Sequence, residues 1–218
     1  MSRGARRLAA AAVALFALAT SAHAQRETRG TAPGEFDFYV LALSWSPGFC
    51  ATEEGAEGRD QCRTGAGLGF VTHGLWPQFQ RGYPVACGSD RAPSRIALDQ
   101  AQGLYPSEGL ARHQWRRHGV CSGRSPVDYF GDVRAARDRV TVPDLFTAAV
   151  RAAPAEIERA FAAANAGLRQ DMMSVVCRRG TLLEVRICFE RDLRAFRSCP
   201  EVDRGGCRGG NVGVPARR

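Results

Sequence analysis

The stretch MMSVVCRRGTLLEVRICFE, residues 172–190, decides the class of fold. Met172 to Cys177 and Leu182 to Glu190 are short apolar runs rich in β-branched residues, and they flank Arg178-Arg179-Gly180-Thr181. Two such runs around a short Gly-containing link read as a β-hairpin. Toward the N-terminus, Phe36 to Leu43 (FDFYVLAL) has the pattern of a buried strand and stops at Ser46-Pro47-Gly48. Leu68 to Gly74 is a further short strand running into Trp76-Pro77. Between these strands the sequence predicts helices. Gly109 to His118 is stopped by Gly119, and Val127 to Arg139 follows an N-cap Ser125 with Pro126 at the first position. Pro143 to Arg151 and Ala155 to Ala166 complete the set. Strands at both ends with helices between them predict an α+β fold: one domain whose central antiparallel sheet carries several packed helices. Thr52 to Ala66 reads as a loop and Phe79 to Leu98 as irregular surface. Residues 208–218, rich in Gly and Arg, read as a disordered tail.

With 218 residues and 44% hydrophobic content, the chain can build a core, which excludes wholesale disorder. Its one strongly apolar run, Leu8 to Ala19, is shorter than the ~20 residues a membrane span needs. The run follows Arg3, Arg6 and Arg7 and precedes Ala22-His23-Ala24. That combination predicts a signal peptide over residues 1–24, cut after Ala24 and leaving no membrane anchor. A buried N-terminal helix would leave the arginines and the Ala-x-Ala unexplained. The remaining 194 residues carry a net charge of +5 and suit one domain, residues 25–207. An export signal together with eight cysteines predicts disulfides, each adding ~2–4 kcal/mol, although spacing alone leaves 105 pairings open. Structural zinc is disfavoured because no two cysteines stand two to four apart. Lysine is absent, as in proteins of GC-rich genomes, and no Asn-x-Ser/Thr sequon occurs. The expected location is therefore bacterial periplasm or extracellular space.

Three histidines survive signal removal, in two sequence islands. One is FVTHGLWPQ, residues 70–78, with His73; the other is RHQWRRHGVC, residues 112–121, with His113 and His118. On a helix His113, Gln114, Arg117 and His118 share a face, while Trp115 turns toward the core. Imidazoles exchange protons near neutrality, and a guanidinium grips phosphate oxygens. A pair of imidazoles flanking a phosphorus can act as base and acid, each contributing roughly 10²–10⁴-fold. No Ser or Cys nucleophile is evident for acyl transfer. A metal site is the chemical rival, but His113 and His118 are five apart with no Glu between them. No metal and no cofactor is expected.

FVTHGLWPQ and RHQWRRHGVCSG resemble the two active-site segments of the ribonuclease T2 family, and DFYVLALSWSPGFC resembles its opening strand. The resemblance runs from Phe36 to Cys207. It implies a secreted, α+β, metal-independent endoribonuclease that acts as a monomer on RNA with little base preference. It further implies attack of the ribose 2′-hydroxyl on phosphorus, giving a 2′,3′-cyclic phosphate and then a 3′-phosphate. His118 then corresponds to the general base, His73 to the general acid and His113 to a phosphate ligand. Gln114 and Arg117 stand where the family has Glu and Lys to stabilise the transition state. Trp76 and Tyr83 are similar to aromatics that stack on a base, a contact that needs only a π-face. The implied disulfides are Cys87–Cys121, Cys188–Cys199, Cys177–Cys207 and Cys50–Cys62. Arg117 keeps the charge of lysine. Gln114 removes a negative charge, so an altered rate and pH optimum are expected. The alternative reading is a weakened relative that binds RNA or a protein partner.

Overall fold

The computed structural model describes residues 26–52, 60–63, 65–88 and 92–217, so the expected signal segment lies outside the described residues. In chain order the strands are β1 (Glu27–Arg29), β2 (Phe38–Trp45), β3 (Phe70–Gln78), β4 (Tyr83–Val85), β5 (Val150–Ala152), β6 (Met173–Arg178), β7 (Thr181–Phe189) and β8 (Val212–Val214). The α-helices are α1 (Ser46–Phe49), α2 (Arg95–Gln100), α3 (Glu108–Arg117), α4 (Pro126–Asp138), α5 (Pro154–Ala164) and α6 (Pro200–Arg204).

Eight residues in a row of β2 are buried, which a strand achieves only when both faces and both edges are covered. β2 accordingly lies between β3 and β7 in a six-stranded sheet of order β3-β2-β7-β8-β5, with β6 also paired to β7. The β6–β7 hairpin turns on Arg179 and Gly180, at φ +50° and +74°. Positive φ at both central residues is what a two-residue turn matched to the strand twist requires. One face of the sheet meets α2–α5 over the main core, where Trp45, Phe70 and Phe161 pack with ring centroids 4.9–5.6 Å apart. On the other face Phe38, Val40, Cys188, Cys199 and Val202 form a smaller apolar cluster that touches Trp76.

Two register slips shape that second face. β2 pairs Ala42 with Gly74 but Leu43 with Thr72, so His73 is the extra residue of a bulge in β3. β6 pairs Val176 with Glu184 but Cys177 with Leu182, which leaves Leu183 extra in β7. A bulge reverses side-chain alternation beyond it and re-aims its neighbours.

Four disulfides join Cys50–Cys62, Cys87–Cys121, Cys177–Cys207 and Cys188–Cys199, the pairs implied by the resemblance. Ser125 caps α4 as its position suggests, accepting the Asp128 N–H at 3.2 Å. Three expectations need correction. Pro143 to Arg151 is no helix: Asp144–Thr147 is a single 3-10 turn that drops Phe146 into the aromatic cluster, and Val150 already begins β5. Phe79 to Leu98 contains β4 and the start of α2, the latter capped by Ser94. The tail is not disordered throughout, because Val212–Val214 forms β8 between β7 and β5. Pro215 just beyond it accepts the indole N–H of Trp45 at 3.1 Å. The local composition is that of a loose tail, but two alternating valines suffice once a strand edge is open to receive them.

Both valines of β8 are buried. Truncation after Gly210 is therefore expected to lower stability by at least about 3 kcal/mol, at ~1.5–3 kcal/mol per buried valine. Denaturant unfolding of the shortened chain checks this; an unchanged midpoint would mean that β8 contributes nothing.

Candidate active site

The bulge turns His73 onto the sheet face opposite the main core, with its side chain 40% exposed. Its Nδ1 lies 2.7 Å from Oε2 of Glu184, a carboxylate only 7% exposed on β7. The other oxygen of Glu184 accepts from Arg186 Nε at 2.6 Å. Burial pushes the Glu184 carboxyl up, but the Arg186 guanidinium and the His73 hydrogen bond outweigh it and hold the group at about 2. Glu184 is therefore ionised across the neutral range.

The second island folds as helix α3, started by Ser107, whose Oγ accepts the Leu110 N–H at 3.2 Å. α3 ends at Arg117. His118 leaves the helix at φ −128°, ψ −43°, though its N–H still bonds the Gln114 carbonyl at 2.9 Å. The shared helical face is consequently divided. His113 stays exposed, Gln114 is buried, and Trp115 enters the main core against Tyr129. His118 is half-buried, and its Nδ1 is shielded with no hydrogen-bond partner among the described residues. Burial first, then the neighbouring cationic groups led by Arg117, hold the His118 imidazole down to about 3.

Trp76 links the two islands. Its ring centroid is 5.1 Å from that of His73 and 5.2 Å from that of His118, so the indole touches both imidazoles. Arg186 lies over the same indole at 5.2 Å, within cation–π range. The indole N–H donates to Gln114 Oε1 at 2.8 Å. Gly74 makes that bond possible, because a Cβ there would overlap both the donor and the acceptor.

His73, His113, Arg116, Glu184 and Arg186 border a cavity of about 890 Å³, inside the ~300–1,000 Å³ range of small-molecule sites. Arg116, which the sequence analysis did not single out, lines this cavity. Arg117 instead pairs with the Glu27 carboxylate, which also accepts from the Tyr83 hydroxyl at 3.0 Å. The predicted residues thus fall into three adjoining groups: His73 and His113 on the cavity, Trp76 with His118 and Gln114 beside it, and Arg117 with Tyr83 around Glu27. The sequence analysis did not single out Glu184 and Arg186, which here contact His73 and Trp76. Their signal was the alternation Glu184-Val185-Arg186 inside an apolar strand, which puts two charges on one face of a sheet.

The Ribonuclease T2 family model matches residues 36–199. A ribonuclease of Aeromonas hydrophila is 47% identical over 120 residues, 55% of this chain and 54% of that protein. The chain therefore spans about half the length of that relative. Ribonuclease DdI of Dictyostelium discoideum is 22% identical over 224 residues, 93% of this chain and 96% of that protein. Among solved structures, a variant of ribonuclease MC1 in complex with 5′-UMP superposes with a TM-score of 0.63 at 21% identity, covering 82% of this chain and 98% of that one. The family match runs from the first long strand to the last helix cap and takes in both histidine islands, and the chain belongs to the ribonuclease T2 family.

Proposed function

We propose that this protein is a secreted endoribonuclease that cleaves single-stranded RNA by attack of the ribose 2′-hydroxyl on the adjacent phosphorus. The observation that carries the reading is the pair of imidazoles on one indole, each in a different electrostatic setting. His118, kept neutral by burial, has the form a base needs to take the 2′-hydroxyl proton. His73, held at Nδ1 by the Glu184 carboxylate, is the ring placed to protonate the leaving 5′-oxygen. Arg116 on the cavity rim supplies a guanidinium, and His113 a ring N–H, for the phosphate oxygens. The cyclic phosphate then hydrolyses to a 3′-phosphate with the two imidazoles in exchanged roles. A mononucleotide in the related ribonuclease MC1 variant agrees with a nucleotide ligand here. Four disulfides, which persist in oxidising compartments, support the secreted part of this reading.

The alternative of a weakened relative drew on Gln114. Its amide oxygen receives the Trp76 N–H, while the carboxylate bonded to an imidazole comes from Glu184 on the sheet. The loss of a charge at position 114 therefore bears on the imidazoles less directly than the sequence suggested. Trp76, for its part, acts here as a spacer between the two imidazoles, with Arg186 over its ring.

Cleavage of polyuridylate by the purified chain, with and without a chelator, tests the function. Equal cleavage in both is expected, with His73→Ala and His118→Ala each slower by about 10²–10⁴-fold. No cleavage by the natural chain would overturn the reading.

The pH profile tests the base. A group neutral above about 3 keeps its proton-accepting form well into acid, so the acidic limb of kcat/KM is expected below about pH 5. A limb near 6.5 would assign the base elsewhere.

Gly74→Ala tests the spacer. Forcing the indole off Gln114 is expected to cost about 1–3 kcal/mol of stability and, through misplaced imidazoles, about 10²-fold in rate. Unfolding curves, tryptophan emission and polyuridylate cleavage measure it.

A further inference from the structure

We propose that Glu184, backed by Arg186, is the positioning residue for the acid of RNA cleavage: it fixes the His73 ring so that Nε2 alone presents the exchanging proton. The inference rests on the endoribonuclease reading above and adds a residue of β7 to it. The motif islands of the sequence contain neither Glu184 nor Arg186.

An ionised carboxylate can only accept hydrogen bonds, so the proton shared at 2.7 Å belongs to His73 Nδ1. The second proton of the imidazolium is then on Nε2. As the 2′-oxygen forms its bond to phosphorus, its proton passes to His118. As the bond from phosphorus to the 5′-oxygen breaks, that oxygen takes the Nε2 proton. His73 is left as the neutral Nδ1–H tautomer, still bonded to Glu184, so no ring has to turn between the two states. An orienting carboxylate of this kind holds tautomer and angle without itself becoming protonated.

The surroundings of Glu184 favour this role over that of a structural ion pair. Its carboxylate borders the cavity together with His73 and His113. It arrives there through paired irregularities, with Leu183 extra beside it in β7 and His73 itself extra in β3, on the two strands that flank β2. Arg186 occupies the remaining oxygen and also covers Trp76, so one guanidinium fixes both the carboxylate and the indole.

Glu184→Gln separates the possibilities. Arg186 Nε still needs an acceptor, so the amide oxygen must face it and the NH₂ must face His73 Nδ1. A donor then meets the Nδ1–H of the imidazolium, and the acid form is opposed. Two substrates read the effect: uridylyl-3′,5′-uridine, whose alkoxide leaving group needs a proton, and uridine 3′-(4-nitrophenyl phosphate), whose phenolate does not. The variant is expected to lose about 10²-fold in kcat on the dinucleotide, with KM within about threefold, and to keep the aryl ester rate within about threefold. His73→Ala should give the same selective pattern, and the double variant should be no slower than His73→Ala alone. Equal losses on both substrates, or losses that multiply in the double variant, would overturn the proposal. Should Glu184→Gln not fold, Glu184→Asp on the same two substrates decides, with a selective loss on the dinucleotide supporting the role and an equal loss overturning it. A natural chain that cleaves neither substrate would remove the endoribonuclease reading and this inference with it. A natural chain that cleaves both, beside an unimpaired Glu184→Gln, would remove this inference alone.

Discussion

Between Ala42 and Leu43 the ladder joining β2 to β3 slips by one residue, and His73 is the residue left over. Strand side chains alternate strictly, so one inserted residue exchanges the faces of everything beyond it. Before the slip Phe70 packs in the main core; after it Leu75 does, and Trp76 is delivered to the opposite face. The arrangement of the site follows from that exchange. With Trp76 on the second face, its N–H reaches Gln114 on α3, its ring meets both imidazoles, and Gly74 has to lack a side chain.

The same geometry gives two chemically identical side chains unlike environments. His118 sits where α3 ends, shielded by the indole and by the packing of the helix end, and desolvation disfavours its charged form. His73 is more open and bonds a carboxylate that Arg186 keeps ionised in spite of burial. Burial thus acts mainly on the His118 ring, while a hydrogen bond to a buried carboxylate holds the His73 ring. Glu27 adds a further charge at the edge, occupying Arg117 and Tyr83 from the short strand β1.

The covalent frame supports this division. Cys87–Cys121 ties the segment after β4 to the turn immediately beyond His118, and Cys188–Cys199 anchors β7 two residues past Arg186. Tyr129 of α4 donates to the Leu75 carbonyl at 2.8 Å in the buried interior, fixing the helix against β3 one residue before Trp76. These links hold strand, helix end and β7 in one relation, and with them the His73 and His118 rings on either side of Trp76.

The amino-acid sequence by itself determined the local elements and the chemistry available. The apolar run of β2, the hairpin around Arg179-Gly180, the Ser125-Pro126 start of α4 and the two histidine islands are all short-range patterns, and propensity and periodicity act over short range. The same shortness misled at Pro143 to Arg151 and in the tail, where the deciding partners, the aromatic cluster and the open edge of β7, are distant in the chain. Only tertiary structure decided that Gln114 would face Trp76, that Arg117 would face Glu27 while Arg116 faces the cavity, and that Glu184 would meet His73 from 111 residues away. Each of those outcomes depends on strand register and on where α3 stops. Register is a property of paired strands, set by how a whole sheet buries its faces, and no single segment carries it.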